Sequence, residues 1–224
     1  MNDYLMKDNS SVLRVALEGK RLEWEATAPE ATKVIYNEGV SEVRESGILE
    51  HALQVGSKAP DFRLTNATGK EVGLSEVLEK GPVILTWYRG GWCPYCNITL
   101  RHLQQHLQEF RNAGASLIAL TPELADNSLS TREKHELQFE VLSDTGNKVA
   151  KKYGIVFKLN DEVANLYKEA FDLESYNGDD SHELPLAATY VIDNEGVIRY
   201  AFLDAEYRNR AEPGDILDML ERLK

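Results

Sequence analysis

One continuous segment constrains this chain more than any other. Pro82-Val83-Ile84-Leu85-Thr86-Trp87-Tyr88 is followed by Arg89, the pair Gly90-Gly91, Trp92, and then Cys93-Pro94-Tyr95-Cys96. An apolar run of strand length with no alternation predicts a strand buried on both faces. The period then changes. Ile98, Leu100, Leu103, Leu107 and Phe110 recur at helical spacing, so a helix is expected from Pro94 to Ala113, stopped by Gly114. Ala115 to Leu120 is a second apolar run. Strand, helix and strand in that order predict a right-handed βαβ unit with parallel strands.

The flanking sequence extends this layout. Upstream, Phe62–Thr65 and Glu71–Leu74 surround the turn cluster Asn66-Ala67-Thr68-Gly69 and predict a hairpin, with a helical turn at Ser75–Lys80. Downstream, a helix is expected at Ser128–Leu137, a strand at Glu140–Leu142 and a helix at Asn147–Tyr153. Asp161 to Leu184 is polar and acidic and predicts a helix plus an exposed insertion. Ala188–Ile192 and Val197–Phe202 predict a second hairpin, and Pro213–Leu223 a last helix with Ile216, Leu217, Leu220 and Leu223 on its apolar face. This order predicts an α/β fold with a mixed β-sheet flanked by helices.

Residues 1–50 read differently. Val12, Val15, Ala16, Leu22 and Trp24 suggest one amphipathic helix. Val34, Ile35, Val40 and Val43 suggest a second from Glu30 to Glu45, with Pro29 at the break and Gly47 at the end. The expected organisation is a helical extension over 1–50 and a main domain over 51–224, with His51–Pro60 as the linker. Two short helices cannot bury their apolar stripes alone. Tyr4, Leu5, Trp24 and Val34 therefore pack either on the same chain or in a homodimer.

Charge narrows the partners. There are 25 Lys and Arg against 37 Asp and Glu, a net charge of −12. An acidic surface repels phosphate backbones and anionic lipid, so no nucleic acid and no membrane partner is expected. The apolar stretch Pro82–Trp87 is far too short to span a bilayer. The start, MNDYLMKDNSSV, has no basic segment leading into an apolar run, so a cytoplasmic location is expected.

The chain has two cysteines, Cys93 and Cys96. So close in sequence, they close too small a loop to staple a fold, and a reducing compartment makes them redox-active thiols. They stand where a buried strand hands over to a helix, beside unpaired N–H groups and the positive end of the helix dipole. That placement predicts a lowered pKa for Cys93, read as the exposed attacking sulfur, with Cys96 as its more buried partner one turn on. Zinc is the competing reading, since His102 and His106 follow. On a continuous helix His102 lies roughly 9 Å of rise beyond Cys96 and about 120° around from it, which does not suit ligands within about 2.3 Å of one ion. No metal is expected.

Several segments together resemble the peroxiredoxin-like branch of the alkyl hydroperoxide reductase/thiol-specific antioxidant family that carries a CPYC centre on a thioredoxin fold. Gly56-Ser57-Lys58-Ala59-Pro60-Asp61-Phe62-Arg63-Leu64 is similar to the family's opening, and Trp87 through Cys96 to its redox segment. Ala188-Thr189-Tyr190-Val191-Ile192-Asp193 with Gly196 resembles its late hairpin. Tyr207-Arg208 with Arg210-Ala211-Glu212-Pro213 resembles its ending. The resemblance covers about residues 55 to 224. There are departures. Thr86 and Gly90 stand where typical peroxiredoxins have proline and threonine. Ala187 stands where they have arginine, and where thioredoxin-like proteins usually place a cis-proline. Arg89 is then the nearest candidate to assist peroxide cleavage, with Arg132 and Arg199 as further candidates.

The resemblance implies a thiol-dependent peroxidase for hydrogen peroxide or organic hydroperoxides. Cys93 becomes a sulfenic acid and Cys96 resolves it as a disulfide, recycled by a thioredoxin- or glutaredoxin-type donor, with no metal or organic cofactor. Two alternatives remain open. One is a thiol–disulfide oxidoreductase acting on protein or glutathione disulfides, because CPYC is also the glutaredoxin centre. The other is a non-enzymatic redox sensor that binds a partner through the N-terminal helices.

Overall fold

The computed structural model describes residues 12–66 and 68–224. Tyr4 and Leu5, named above as apolar surface, lie outside them. The chain opens with helices α1 (Val12–Thr27) and α2 (Glu30–Glu45). Pro29 separates them, because a proline disfavours helical geometry in the residue before it. Gly47, at φ 74°, ends α2 in the left-handed region and leads into the short α3 (Ile48–His51). Strands β1 (Arg63–Thr65) and β2 (Glu71–Gly73) form the expected hairpin, and α4 (Leu74–Leu78) follows. Next come β3 (Val83–Trp87), α5 (Pro94–Gln105), α6 (Leu107–Asn112), β4 (Ser116–Thr121), α7 (Ala125–Lys134), β5 (Glu140–Ser143) and α8 (Lys148–Lys152). The chain finishes with β6 (Val156–Lys158), α9 (Asp161–Phe171), α10 (Leu173–Asn177), β7 (Glu183–Pro185), β8 (Thr189–Ile192), β9 (Ile198–Phe202) and α11 (Pro213–Arg222).

The main sheet has the order β5-β4-β3-β8-β9. β3, β4 and β5 are parallel, and β8 and β9 are antiparallel additions. This is the mixed, helix-flanked sheet of a thioredoxin-like α/β fold. Burial on both faces explains the unbroken apolar run of β3. Val83, Leu85 and Trp87 pack into one core with Tyr153 and Tyr190. Ile84 and Tyr88 pack into the other with α5, α6 and α11.

Five expectations need correction. The helix from Pro94 breaks at His106, whose φ of −92° and ψ of 1° leave the helical region. The His106 ring nitrogen Nδ1 pairs with the His102 carbonyl at 2.9 Å, competing with the backbone ladder. The expected linker is hydrogen-bonded along β9: Gly56 N donates to Ile198 O at 2.8 Å, and Ile198 N donates to Ser57 O at 2.9 Å. The stretch from Asp161 to Leu184 is no exposed insertion, because Leu159, Val163, Tyr167, Leu173 and Leu184 form a third core against Ile35, Tyr36 and Trp92. A two-stranded sheet, β6 with β7, was not expected from the sequence.

The fifth correction concerns α1. Val12, Val15 and Leu22 face solvent, at 44, 68 and 53% exposure, while Leu13 and Leu17 are the buried pair. They join the α5 and α11 core. Val34 on α2 is also exposed, while Val40 and Val43 are buried. Val43, Ile48 and Ala52 pack in the same core as β3 and β4. The extension thus differs from the main domain in secondary structure and has no core of its own.

Candidate active site

Steric limits shape the turn between β3 and α5. A Cβ on Gly90, at φ +154°, would stand 2.1 Å from Trp92 Nε1, and one on Gly91 would stand 2.1 Å from Thr131 Oγ1. At Gly91 the Thr131 hydroxyl would have to turn away, whereas at Gly90 the whole Trp92 ring would have to move and the positive φ adds strain, which disfavours a threonine there. Thr86 is also taken up structurally: its hydroxyl pairs with Thr189 Oγ1 at 2.8 Å inside the sheet. Cys93 caps α5 with extended backbone (φ −86°, ψ 114°), and Pro94 occupies the first turn, where its missing N–H costs nothing. Asn97 Nδ2 donates to Gly91 O at 2.8 Å and ties the turn to the helix.

Both sulfurs are buried, Cys93 at 2% and Cys96 at 0% exposure. This corrects the expectation of an exposed Cys93, which packs among Tyr88, Tyr95 and Tyr207. The charge preference is corrected as well. Burial pushes the Cys93 thiol well up, and its hydrogen bond to Cys96 pushes further the same way. Burial also opposes charge on Cys96, but the Cys93 thiol, the Arg210 and Arg89 guanidiniums and the Arg89 backbone outweigh it and hold Cys96 well below the usual thiol range. The contacts agree: Arg89 N donates to Cys96 Sγ at 3.4 Å and Arg210 Nη2 at 3.3 Å. The expected lowering of Cys93 by the helix start is overturned: the lowered thiol is Cys96, and the guanidiniums and the Arg89 backbone lower it. The pair shares a proton that rests on Cys93, because the donors converge on the other sulfur.

Arg89 is buried at the end of β3, 2% exposed. Its guanidinium lies over the rings of Tyr207, Trp92 and Tyr167 at 4.4, 5.1 and 5.3 Å, and Nη2 donates to the Tyr167 hydroxyl. Nε and Nη1 have no partner among the described residues. Arg132 and Arg199 are not brought to the site. Arg132 Nε donates to Leu137 O at 3.3 Å, and Arg199 pairs with Asp193 at 2.5 Å on the surface. The alanine at 187 is buried, and no peptide bond among the described residues is cis. His102 lies on α5 and His106 at the break that ends it, and no metal-binding cluster forms among the described residues.

Two site residues escaped the sequence reading. Arg210 lay in the motif Arg210-Ala211-Glu212-Pro213, but nothing in its spacing places it on Cys96. Glu123 follows β4 and is fully buried. Its Oε1 accepts Gly91 N at 2.8 Å, while Oε2 has no partner. Burial pushes its carboxyl up to about 7. A charged residue at the carboxyl end of a buried strand, beside the strand that leads to the thiols, was the available signal.

Comparison with known proteins agrees with this geometry. Residues 55–201 match the AhpC/TSA family. Chloroplastic peroxiredoxin Q of Oryza sativa subsp. japonica is 30% identical over 172 residues, covering 75% of this chain and 67% of that protein. Thiol-disulfide oxidoreductase ResA of Bacillus cereus is 28% identical over 108 residues, 48% of this chain and 61% of that one. The crystal structure of peroxidoxin BcpB from Mycobacterium tuberculosis superposes with a TM-score of 0.61 at 20% identity, over 77% of this chain and 99% of that one.

Proposed function

This chain belongs to the AhpC/TSA family, and from that premise we propose that it is a thiol-dependent peroxidase in which peroxide oxidises Cys93 and Cys96 resolves it. One observation carries the assignment of residues. Two buried guanidiniums, Arg89 and Arg210, flank a thiol pair that shares one proton. Cys96 thiolate takes the Cys93 proton as Cys93 Sγ attacks the terminal peroxide oxygen. The S–O bond forms and the O–O bond breaks. The leaving hydroxide or alkoxide takes the proton back from Cys96, while Arg89 holds its charge in the meantime. Cys93 is now a sulfenic acid. Cys96 Sγ attacks it, the S–S bond forms, and water leaves after protonation. A thioredoxin- or glutaredoxin-type dithiol returns the pair to the reduced state by exchange.

Rapid mixing of the reduced protein with hydrogen peroxide tests this. Sulfenic acid trapped at Cys93 in Cys96→Ser, and a Cys93–Cys96 disulfide in the wild type, are expected. Peroxide consumption by Cys93→Ser as fast as by wild type overturns the assignment.

The similarity to ResA, together with the enclosure of Cys93, favours a second reading as a thiol–disulfide oxidoreductase. It predicts faster reaction with a mixed glutathione disulfide than with peroxide at equal concentration. Sustained turnover of either kind excludes a purely sensory role. We assign the reaction to the cytoplasm. No described helix is long and apolar enough to cross a membrane. A homodimer through α1 is supported by its exposed Val12, Val15 and Leu22. Light scattering would read it as twice the monomer mass, lowered by Val15→Ser.

A further inference from the structure

A cavity of about 430 Å³ lies between α2, β6 and α9. Its walls are mostly apolar, with Val40 from α2, Val156 from β6 and Val163 from α9. Gly39 permits the close approach of the two helices, since a Cβ there would stand 2.9 Å from Val163 Cγ2. Neither Cys93 nor Cys96 lines this cavity, so its occupant is not placed for attack by either sulfur. The chain as a whole carries a charge of −12, yet the charged lining is Arg89, Lys151 and Lys158 against Glu42 alone. Lys151 is already paired with Glu183 at 2.6 Å. Lys158 is exposed to water, where an ion pair is worth little.

Arg89 is different. Its side chain is 2% exposed, and its Nε and Nη1 have no partner among the described residues. The one side-chain acceptor it reaches is the Tyr167 hydroxyl. The rings of Tyr207, Trp92 and Tyr167 attract the cation without accepting its N–H groups in the plane. Cys96 is met by the Arg89 backbone N–H, at 3.4 Å, and not by the guanidinium. A buried cation with unpartnered donors is costly, and an anion brought to it in a dry site recovers that cost.

We propose that this cavity binds an organic monocarboxylate, with its carboxylate on Arg89 and its apolar chain along Val40, Val156 and Val163. The ligand is held and not transformed. The volume suits a small organic molecule, and apolar walls with one convergent charge are the usual make-up of such a site. A neutral ligand would leave the guanidinium unpaired, and a cation would be repelled by it. An inorganic anion would leave the valine walls uncovered. The α2 wall and Tyr207 lie outside the segment 55–201 that matches the family, so the cavity does not follow from membership of it.

The test is isothermal titration calorimetry of the reduced full-length protein at neutral pH with octanoate, 1-octanol and octylamine. Octanoate is expected to bind at least about tenfold tighter than 1-octanol, because the charge-assisted hydrogen bonds are made only by the carboxylate. Octylamine, protonated at this pH, should bind more weakly than 1-octanol. Val156→Trp and, independently, Ser46→Trp at the lining should weaken octanoate at least about fivefold by filling the cavity. Val55→Ser, exposed and outside the lining, should leave it unchanged. Arg89→Met should still bind 1-octanol and bind octanoate no better, while Lys158→Met should keep the preference. Equal affinity for octanoate and 1-octanol in the wild type overturns the proposal, as does an octanoate affinity that neither tryptophan variant changes. Those two results decide it even if Arg89→Met does not fold. A preference that survives Arg89→Met, or that is lost in Lys158→Met instead, overturns the placement of the carboxylate on Arg89. No outcome depends on turnover, so the peroxidase reading and this site can fail separately.

Discussion

Arg210 and Glu123 set the electrostatics of the thiol pair from opposite sides. Arg210 Nη2 reaches Cys96 Sγ at 3.3 Å and is held in place by donation from Nη1 to Asn209 O at 2.8 Å. An opposite charge that close favours a thiolate by about 1–3 pKa units. Arg210→Ala should therefore raise the thiolate titration of the reduced pair by at least about one unit, followed by absorbance at 240 nm, and slow alkylation at neutral pH. An unmoved titration would mean that Arg89 holds the charge unaided.

Glu123 makes a different prediction. Its folded pKa, about 7, is raised above the ordinary 4.5 by burial, opposed in part by the hydrogen bond from Gly91. Between those two values the folded protein binds more protons than the unfolded chain. The contribution of Glu123 is thus fully present below about pH 4.5 and is lost as pH rises through about 7. At about 1.4 kcal/mol per unit, the loss is on the order of 3 kcal/mol. Glu123→Gln keeps an acceptor for Gly91 N–H and removes the titration. Urea unfolding at pH 5 and pH 8 should show wild type losing more stability across that interval than the variant. Equal losses would mean that Glu123 is charged throughout.

At the scale of elements, legibility followed how many directions of burial each segment has. β3 was clear because burial on both faces leaves a run with no alternation to misread. α2 matched from Glu30 to Glu45 because Pro29 and Gly47 punctuate it. α1 was not clear: a helix with valine and leucine spread around its surface offers several faces, and α5 and α11 select the one with Leu13 and Leu17. β6 and β7 were missed because strands of three residues carry almost no period. The site divided in the same way. Cys93, Cys96 and Arg89 were candidates from local context and the structure brings them together, whereas Arg210 reaches Cys96 and Glu123 reaches the Gly91 turn through pairings distant in sequence. The α1 face makes a direct prediction. Leu13, 1% exposed, should cost about 2–5 kcal/mol as Leu13→Ala. Val55→Ser, at 59% exposure and away from α1, should stay within about 0.5 kcal/mol in urea unfolding.

At the scale of the molecule, the extension and the main domain share their cores. Leu13 and Leu17 complete the α5 and α11 core, Val43 and Ile48 the opposite one, and Ile35 and Tyr36 the third. Trp24 of α1 lies edge-on to Tyr36 at 5.5 Å, and the guanidinium of buried Arg208 lies 5.0 Å from its ring centroid. A unit that unfolds alone needs a core of its own, and residues 12–50 have none. The chain should therefore lose its structure in one transition. The three tryptophans, Trp24 on α1, Trp87 in the sheet and Trp92 at the turn, allow this to be read locally. In variants that keep only Trp24 or only Trp87, with phenylalanine at the other two positions, the fluorescence midpoint in urea should coincide with the midpoint from far-ultraviolet circular dichroism of the same variant. An earlier midpoint reported by Trp24 would make the extension a separately melting element. It would also mean that the α2 wall of the cavity can open while the sheet stays folded.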